Sequence, residues 1–453
     1  MGLFSLFSSK KSVGNGKVRV RMAPSPTGNL HIGTTRTTLF NYLFAKATGG
    51  TFVMRIEDTD RDRSRPEFEK NILDGLAWLG LSWDEFYRQS ERTEIYHHAL
   101  SKLIGKKKAY ISKEPAKDDA SRTVEVVRLR NPKKPVTFED IIRGPITVDP
   151  SDLGDFVIAR SITDPLYHFA VVVDDGEMGI THVIRGEDHI SNTPRQILIM
   201  EALGYPRPKY AHLPLILAPD RSKLSKRNGA TSLDEYKTLG FIPEGLVNFL
   251  ALLGWNPGTE QELFSMEELI AAFSLDKLQK SGAIFNIDRL TWFNKEHLKK
   301  LSASSYEKRL ADFIGKVPDK RLVPLLHERS STLKEAAELL EGDEFAFLEG
   351  QYHVDPNMLI PRAKNEQVSA ADTKERLLTI LKMLHEAPSS SFTAEEVKNI
   401  VWEYAEKEGR GKVLWPMRVA LTGAERSPDP FTVASLLGRD ETLSRLEKAA
   451  NTL

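Results

Sequence analysis

The chain has 453 residues, with 63 lysines and arginines set against 63 aspartates and glutamates, so its formal net charge is zero. That balance excludes nucleic-acid binding through the overall field, and an RNA partner requires positive charge gathered on one face. There are no cysteines, which excludes disulfides, thiolate chemistry and a cysteine-held zinc, and no apolar run approaches the ~20 residues of a membrane helix. At 40% hydrophobic and 28% charged residues, the composition is that of an ordinary globular protein with roughly three to four domains of about 150 residues.

Residues 1–16, rich in Ser, Gly and Lys and free of acids, read as a flexible N-terminal extension. KVRVRMA (Lys17 to Ala23) alternates Val18, Val20 and Met22 with polar residues, the period of a strand. A turn rich in glycine and proline, Pro24 to Gly33, leads into a helix with Leu39, Phe40, Leu43, Phe44 and Ala47 on one face, ended by Gly49-Gly50. TFVMRIE (Thr51 to Glu57) is the next strand. A second helix opens on a Ser64/Glu67 capping box with Pro66 in its first turn, and buries Phe68, Ile72, Leu76 and Leu79. Strand, helix, strand, helix at this spacing predicts a parallel, doubly wound sheet.

Residues 97–165 are less regular, and TVEVVRL (Thr123 to Leu129) gives them strand character, so they read as an inserted α/β lobe. FAVVV (Phe169 to Val173), THVIRG and HLPLIL then resume the sheet pattern. Beyond about residue 300 the chain reads as helical, including Lys374 to Leu384 and Thr393 to Glu406.

Two short motifs carry the chemistry. PTGNLHIGT (Pro26 to Thr34) puts small residues and His31 at a helix entrance, where backbone N–H groups meet phosphate. KLSKR (Lys223 to Arg227) puts two lysines on a loop, suited to the charge of departing pyrophosphate. Each alone has an ordinary explanation: a capping or packed histidine, a plain glycine turn, a solvated basic loop. Their pairing favours nucleotide activation.

RMAPSPTGNLHIGT, RIEDTDRDRS, YRQSER, PLYHFAVVVDDGEMGITHVIRGEDHISNTPRQ and KLSKRNGATSL, in this order, closely resemble the bacterial glutamyl-tRNA synthetases, class I aminoacyl-tRNA synthetases. The similarity runs from about residue 17 to the C-terminus. It implies a Rossmann-like doubly wound parallel sheet with an inserted α/β lobe, followed by all-α C-terminal domains. The implied divisions are 17–96 and 166–218 for the two halves of the catalytic domain, 97–165 for an acceptor-binding lobe, 219–302 for a stem-contact domain with the KLSKR loop, and 303–368 and 369–453 for anticodon-binding helical domains.

The resemblance also implies the reaction. L-glutamate and ATP give glutamyl-adenylate and pyrophosphate, and the glutamyl group then passes to the 3′-terminal ribose of tRNA(Glu). His31, Lys223 and Lys226 are the implied catalytic groups. Thr27, Gly28, His31, Gly33, Thr34 and Lys226 are implied to hold ATP, and Thr34 stands where many class I enzymes carry a second histidine. Glutamate, with two carboxylates and an ammonium, is implied to meet Arg21, Ser25, Glu57, Tyr167 and Arg185. The ordinary alternatives are a solvent-facing Arg21, a Glu57 that is a surface carboxylate or a helix-dipole partner, and an Arg185 paired with Glu187 or Asp188. Val171 replaces an asparagine of some members. Asp58 and Asp60 read as helix-start residues or salt-bridge partners of Arg61 or Arg63, and the dispersed histidines 168, 182, 189 and 212 as structural.

Magnesium is expected as part of the ATP substrate complex, with no zinc. Lys106 to Lys108, Lys133, Lys134, Arg207 and Lys209 are candidate RNA-backbone contacts, and Arg329 roughly aligns with an anticodon-reading arginine. A cytoplasmic monomer is expected. Beside this reading stand a non-discriminating enzyme that also charges tRNA(Gln), a glutaminyl enzyme, a truncated relative that glutamylates a modified tRNA base, and a catalytically silent RNA-binding paralogue.

Overall fold

The computed structural model describes residues 16–116, 121–224, 231–348, 352–361, 368–387 and 392–453. The chain divides into two compact units, up to Leu298 and from Lys299 onward.

The first unit begins with β1 (Arg19–Met22), α1 (Ile32–Ala47), β2 (Thr51–Ile56), α2 (Pro66–Trp78) and β3 (Glu85–Arg88). These strands form a parallel sheet in the order β1-β2-β3. α3 (Thr93–Gly105) follows. The segment after it supplies β4 (Ala109–Pro115), β5 (Thr123–Leu129), a hairpin of β6 (Val136–Asp140) and β7 (Gly144–Val148), β8 (Phe156–Ser161) and β9 (Asp164–Pro165). β4, β5, β8 and β9 make an antiparallel sheet of their own. Next come α4 (Tyr167–Glu177), β10 (His182–Gly186), α5 (Thr193–Leu203) and β11 (Lys209–Leu213). β10 and β11 pair in parallel, and the β6–β7 hairpin joins them through β6, where Tyr210 stands opposite Asp140. β10 also lies beside β1, because Thr181 donates its N–H to Arg19 O at 2.9 Å and receives the Arg19 N–H on Oγ1 at 2.8 Å. The first unit closes with β12 (Ile216–Leu217), α6 (Leu233–Thr238), α7 (Pro243–Leu252), α8 (Met266–Ala272), β13 (Ala283–Ile284) and α9 (Ile287–Lys299).

The strand period of two sorts side chains onto two cores. Val20, Phe52, Met54, Ile184, Ala211 and Leu213 share one cluster with residues of α1 and α2. Val53, Val183 and Tyr210 share another with α3, α4 and α5. The odd members of the set, Arg21, Arg55, Arg185 and His212, therefore fall on the α4/α5 face. All four are nearly or completely buried, so each needs a partner on that face.

Two expectations are corrected. FAVVV is not a strand but lies inside α4, where Phe169 to Asp175 are all buried. A run that is apolar on every side fits a fully buried helix as well as a strand. The Ser64/Glu67 capping box does not form. Pro66 takes the first helical position, Arg65 becomes the N-cap without a side-chain bond, and Glu67 falls one place short of the reciprocal position. The Ser64 hydroxyl is left buried with no hydrogen-bond partner among the described residues.

The second unit is helical. α10 (Ala303–Ile314), α11 (Val323–Arg329), α12 (Leu333–Glu341) and α13 (Pro356–Leu359) precede α14 (Ala370–Glu386), α15 (Ala394–Glu408), α16 (Arg410–Thr422), α17 (Pro430–Leu437) and α18 (Arg439–Thr452). Capping boxes start α14 at Ser369/Asp372 and α15 at Thr393/Glu396. Leu377, Ile380, Leu384, Val397, Val401 and Leu446 are fully buried in its interior.

Candidate active site

β1 runs to α1 on one face of the sheet, and β10 runs to α5 on the other. The carboxyl ends of β1 and β10 are therefore the point where the winding reverses, the place where such sheets hold ligands. A cavity of about 370 Å³ opens there. Arg21, His31, Gly33, Thr34, Glu57, Tyr167, Arg185 and Lys223 line it. An adjoining cavity of about 350 Å³ adds Ser25 and Gly28 and shares His31, Thr34, Glu57 and Tyr167. Thr27 lines a third hollow, again beside Gly28 and His31. Lys226 and Arg227 lie outside the described residues.

His31 is the N-cap of α1, and its Nδ1 accepts the Gly33 N–H at 3.0 Å. An accepting Nδ1 puts the proton of the neutral ring on Nε2, as a donor. The capping role and a role toward an anion therefore use different nitrogens. An added Cβ at Gly28 would meet nothing within 4 Å, so protein packing does not demand glycine there and the open space belongs to the cavity mouth. The segment before α6 pairs with this turn: Ile32 donates to Thr231 O at 2.8 Å and Leu233 to Leu30 O at 2.9 Å. Lys223 stands 4.0 Å from Asp188 and is mostly exposed.

Beneath the cavity lies a buried charge network. Arg55 Nη1 reaches Asp175 at 2.9 Å and Nη2 reaches Glu57 at 3.1 Å, with Nε 3.6 Å from Asp174. Asp174 also takes Arg92 Nε at 2.7 Å, the Tyr96 hydroxyl at 2.8 Å and the Gln89 amide at 2.9 Å. Arg21 uses only Nε on Asp175, at 3.2 Å. Three guanidiniums (Arg21, Arg55, Arg92) thus meet three carboxylates, while Arg185 donates only to neutral groups, which suits it to an anionic ligand. Burial pushes the Glu57 carboxyl up to about 7 against the pull of Arg55 and Arg21, because Arg55 is shared among three acids. Burial likewise pushes Tyr167 up to about 12, with the Glu57 charge adding to it.

The solvent-facing reading of Arg21, the surface reading of Glu57 and the ion-pair reading of Arg185 do not hold. Arg21 is 5% and Glu57 4% exposed. Arg185 pairs with neither Glu187 nor Asp188: its Nη1 donates to Gln196 at 2.7 Å, its Nη2 to Thr193 at 2.8 Å and its Nε to His212 Nε2 at 3.2 Å. Glu187 is bound instead by Arg143. Asp60 pairs with Arg63 at 2.6 Å as expected, whereas Asp58 makes no such pair among the described residues and accepts the Ser90 N–H at 2.8 Å instead. Arg329 ends α11 paired with Glu344 at 2.8 Å.

Sequence reasoning missed Arg36, Arg55, Asp140, Asp174 and Asp175. Arg36 lines the cavity from α1 and donates to Leu253 O at 3.2 Å and to Pro214 O. Burial lowers its guanidinium to about 10. One signal was available for the acids, since two aspartates directly follow an apolar run and a buried acid requires a cation.

The description "tRNA synthetases class I (E and Q), catalytic domain" matches residues 17–118 and 111–292, and "Anticodon binding domain" matches residues 280–450. The chain belongs to the class I tRNA synthetases of the E and Q type. It is 38% identical to a glutamate–tRNA ligase of Desulforamulus reducens, over 95% of this chain and 99% of that one. It is 39% identical to one from Carboxydothermus hydrogenoformans, over 96% and 100%. Among solved structures it resembles a glutamate–tRNA ligase from Elizabethkingia meningosepticum in complex with its amino acid, with a TM-score of 0.80, 32% identity, and coverage of 97% of this chain and 100% of that one. No helix among the described residues is long and apolar enough to cross a membrane.

Proposed function

We propose that this synthetase is a glutamate–tRNA ligase. It activates L-glutamate with magnesium-bound ATP and transfers it to the 3′-terminal ribose of tRNA(Glu). The observation that carries the reading is one cleft in which Arg21, Arg185, Glu57 and Tyr167 face His31 and Lys223. Arg21 and Arg185 meet the side-chain carboxylate, Glu57 the ammonium, and Tyr167 and Ser25 donate hydroxyls. A glutamine amide would leave the arginines without their charge partner, a loss on the scale of roughly 10⁴-fold for sites built on a specific polar contact.

In the first step an oxygen of the glutamate α-carboxylate attacks the α-phosphorus of ATP, and the bond to pyrophosphate breaks. The nucleophile is already an anion, so the protein supplies position and charge rather than a base. His31 Nε2–H, the backbone of Thr27 to Thr34 and Lys223 meet the phosphates. Lys226 joins them on the strength of the sequence alone. In the second step the terminal ribose hydroxyl attacks the activated carbonyl, AMP leaves and the hydroxyl proton is lost. Arg329 and the helical unit are assigned to the anticodon, and tRNA as substrate fits a cytoplasmic setting.

The test is glutamate-dependent ATP–pyrophosphate exchange, with and without tRNA(Glu). Exchange only in the presence of tRNA is expected. Its absence under both conditions would make the chain a silent RNA-binding paralogue. A Lys226→Ala variant is expected to retain tRNA binding and lose activation. Charging assays with tRNA(Gln) measure the breadth of tRNA use.

A further inference from the structure

Arg185 is one of the residues proposed above to hold the glutamate carboxylate, and its orientation is set from an unexpected place. His212, on β11, is fully buried. Its Nε2 lies 3.2 Å from Arg185 Nε and 3.1 Å from the Thr193 hydroxyl. Its Nδ1 lies 2.6 Å from Asp140 Oδ2. Asp140 comes from β6, in the segment between the two halves of the parallel sheet.

The donors around Asp140 decide its state. Oδ1 accepts the N–H groups of Ile142 at 3.0 Å and Arg143 at 2.8 Å, and Oδ2 accepts the His212 N–H at 3.0 Å as well as the ring. Every neighbour is a donor, so the carboxyl is ionised. Although burial alone would raise it, the His212 ring and the backbone N–H groups hold Asp140 below the usual carboxylate range. Burial lowers the His212 imidazole and keeps it neutral. An ionised Asp140 fixes the ring proton on Nδ1, which leaves Nε2 an acceptor facing a guanidinium that can only donate.

We propose that Asp140 and His212 are positioning residues for amino-acid selection: the inserted hairpin fixes the His212 tautomer, and that tautomer aims Arg185 into the cavity. The segment read from sequence as an RNA-docking lobe thereby completes the amino-acid site. This rests on Arg185 holding glutamate.

The experiment compares glutamate KM, ATP KM and kcat for Asp140→Asn, His212→Asn and Arg185→Lys with the wild type, in tRNA-dependent exchange. Asp140→Asn keeps the shape but offers an N–H to His212 Nδ1, which moves the ring proton to Nε2 and sets donor against donor at Arg185. A rise in glutamate KM of roughly ten- to hundredfold is expected, with ATP KM within about twofold and a lower preference for glutamate over glutamine. His212→Asn keeps a donor for Asp140 and removes the acceptor for Arg185, so it is expected to raise glutamate KM alike. It carries the decision if Asp140→Asn does not fold. A raised glutamate KM in Arg185→Lys with wild-type values in the folded Asp140 or His212 variant overturns the positioning role alone. Wild-type glutamate KM in all three overturns the site reading on which it rests.

Discussion

At the residue scale the site is governed by burial and by the sharing of Arg55 among Glu57, Asp174 and Asp175. Glu57 stays protonated up to about pH 7 because burial outweighs its share of Arg55. A raised pKa in the fold means that proton binding stabilises the substrate-free protein at low pH, and this contribution is lost as the pH rises through about 7. Binding of the substrate ammonium runs the other way, since it needs the ionised form. Glutamate KM is therefore expected to fall as the pH rises through that value, by up to about tenfold per unit on the acid side, and then to level off. A Glu57→Gln variant, measured over the same range, is expected to bind glutamate weakly with no such slope; an unchanged slope would remove Glu57 from the ammonium site. Lys223→Ala, which deletes a mostly exposed side chain, is expected to lower kcat roughly a hundredfold and to leave the melting temperature unchanged.

At the element scale, α1 joins stability to chemistry through one ring. His31→Ala removes the helix cap and costs about 1 kcal/mol, along with the Nε2–H at the cavity. His31→Asn keeps a capping oxygen, so it is expected to melt like the wild type while exchange stays low by roughly a hundredfold. Recovery of activity together with stability would confine His31 to the cap. Helix packing gives a separate test. An added Cβ at Gly245 would lie 2.8 Å from Asn294 Cα, where α7 meets α9. That neighbour is backbone and cannot step aside, so Gly245→Ala is expected to destabilise by about 1–3 kcal/mol, read as a lower melting temperature.

The elements themselves were unevenly legible. KVRVRMA and TFVMRIE announced strands because alternation is local, and both run in parallel register from Arg19 opposite Thr51. FAVVV misled because a fully buried helix has no polar face to mark its period. The Ser64 box failed because Pro66 fixes where the helix begins.

At the scale of the whole molecule, the chain divides into two compact units, one built on a doubly wound sheet and one, among the described residues, on helices. A ligand stabilises the unit that binds it. In calorimetry, a non-reactive glutamyl-adenylate analogue is expected to raise the transition of the first unit by roughly 5 °C and to leave that of the helical unit in place. Equal shifts in both would contradict a cleft confined to the first unit.

The sequence by itself determined the family, the opening strand–helix–strand–helix order, the helical C-terminal part and eight of the residues that line the cavity, Arg21, His31, Gly33, Thr34, Glu57, Tyr167, Arg185 and Lys223. Strand alternation, turn glycines and motif order are written in neighbouring residues, so they can be read along the chain. Only the tertiary structure decided that Arg21, Arg55, Arg185 and His212 share one buried sheet face, and that Asp174, Asp175 and Asp140 are the acids that meet them. Those partners lie 154 residues apart for Arg21 and Asp175, and 72 apart for His212 and Asp140. The reason is physical: a buried charge requires its opposite within a few ångströms in space, and nothing in that requirement specifies where along the chain the opposite must come from.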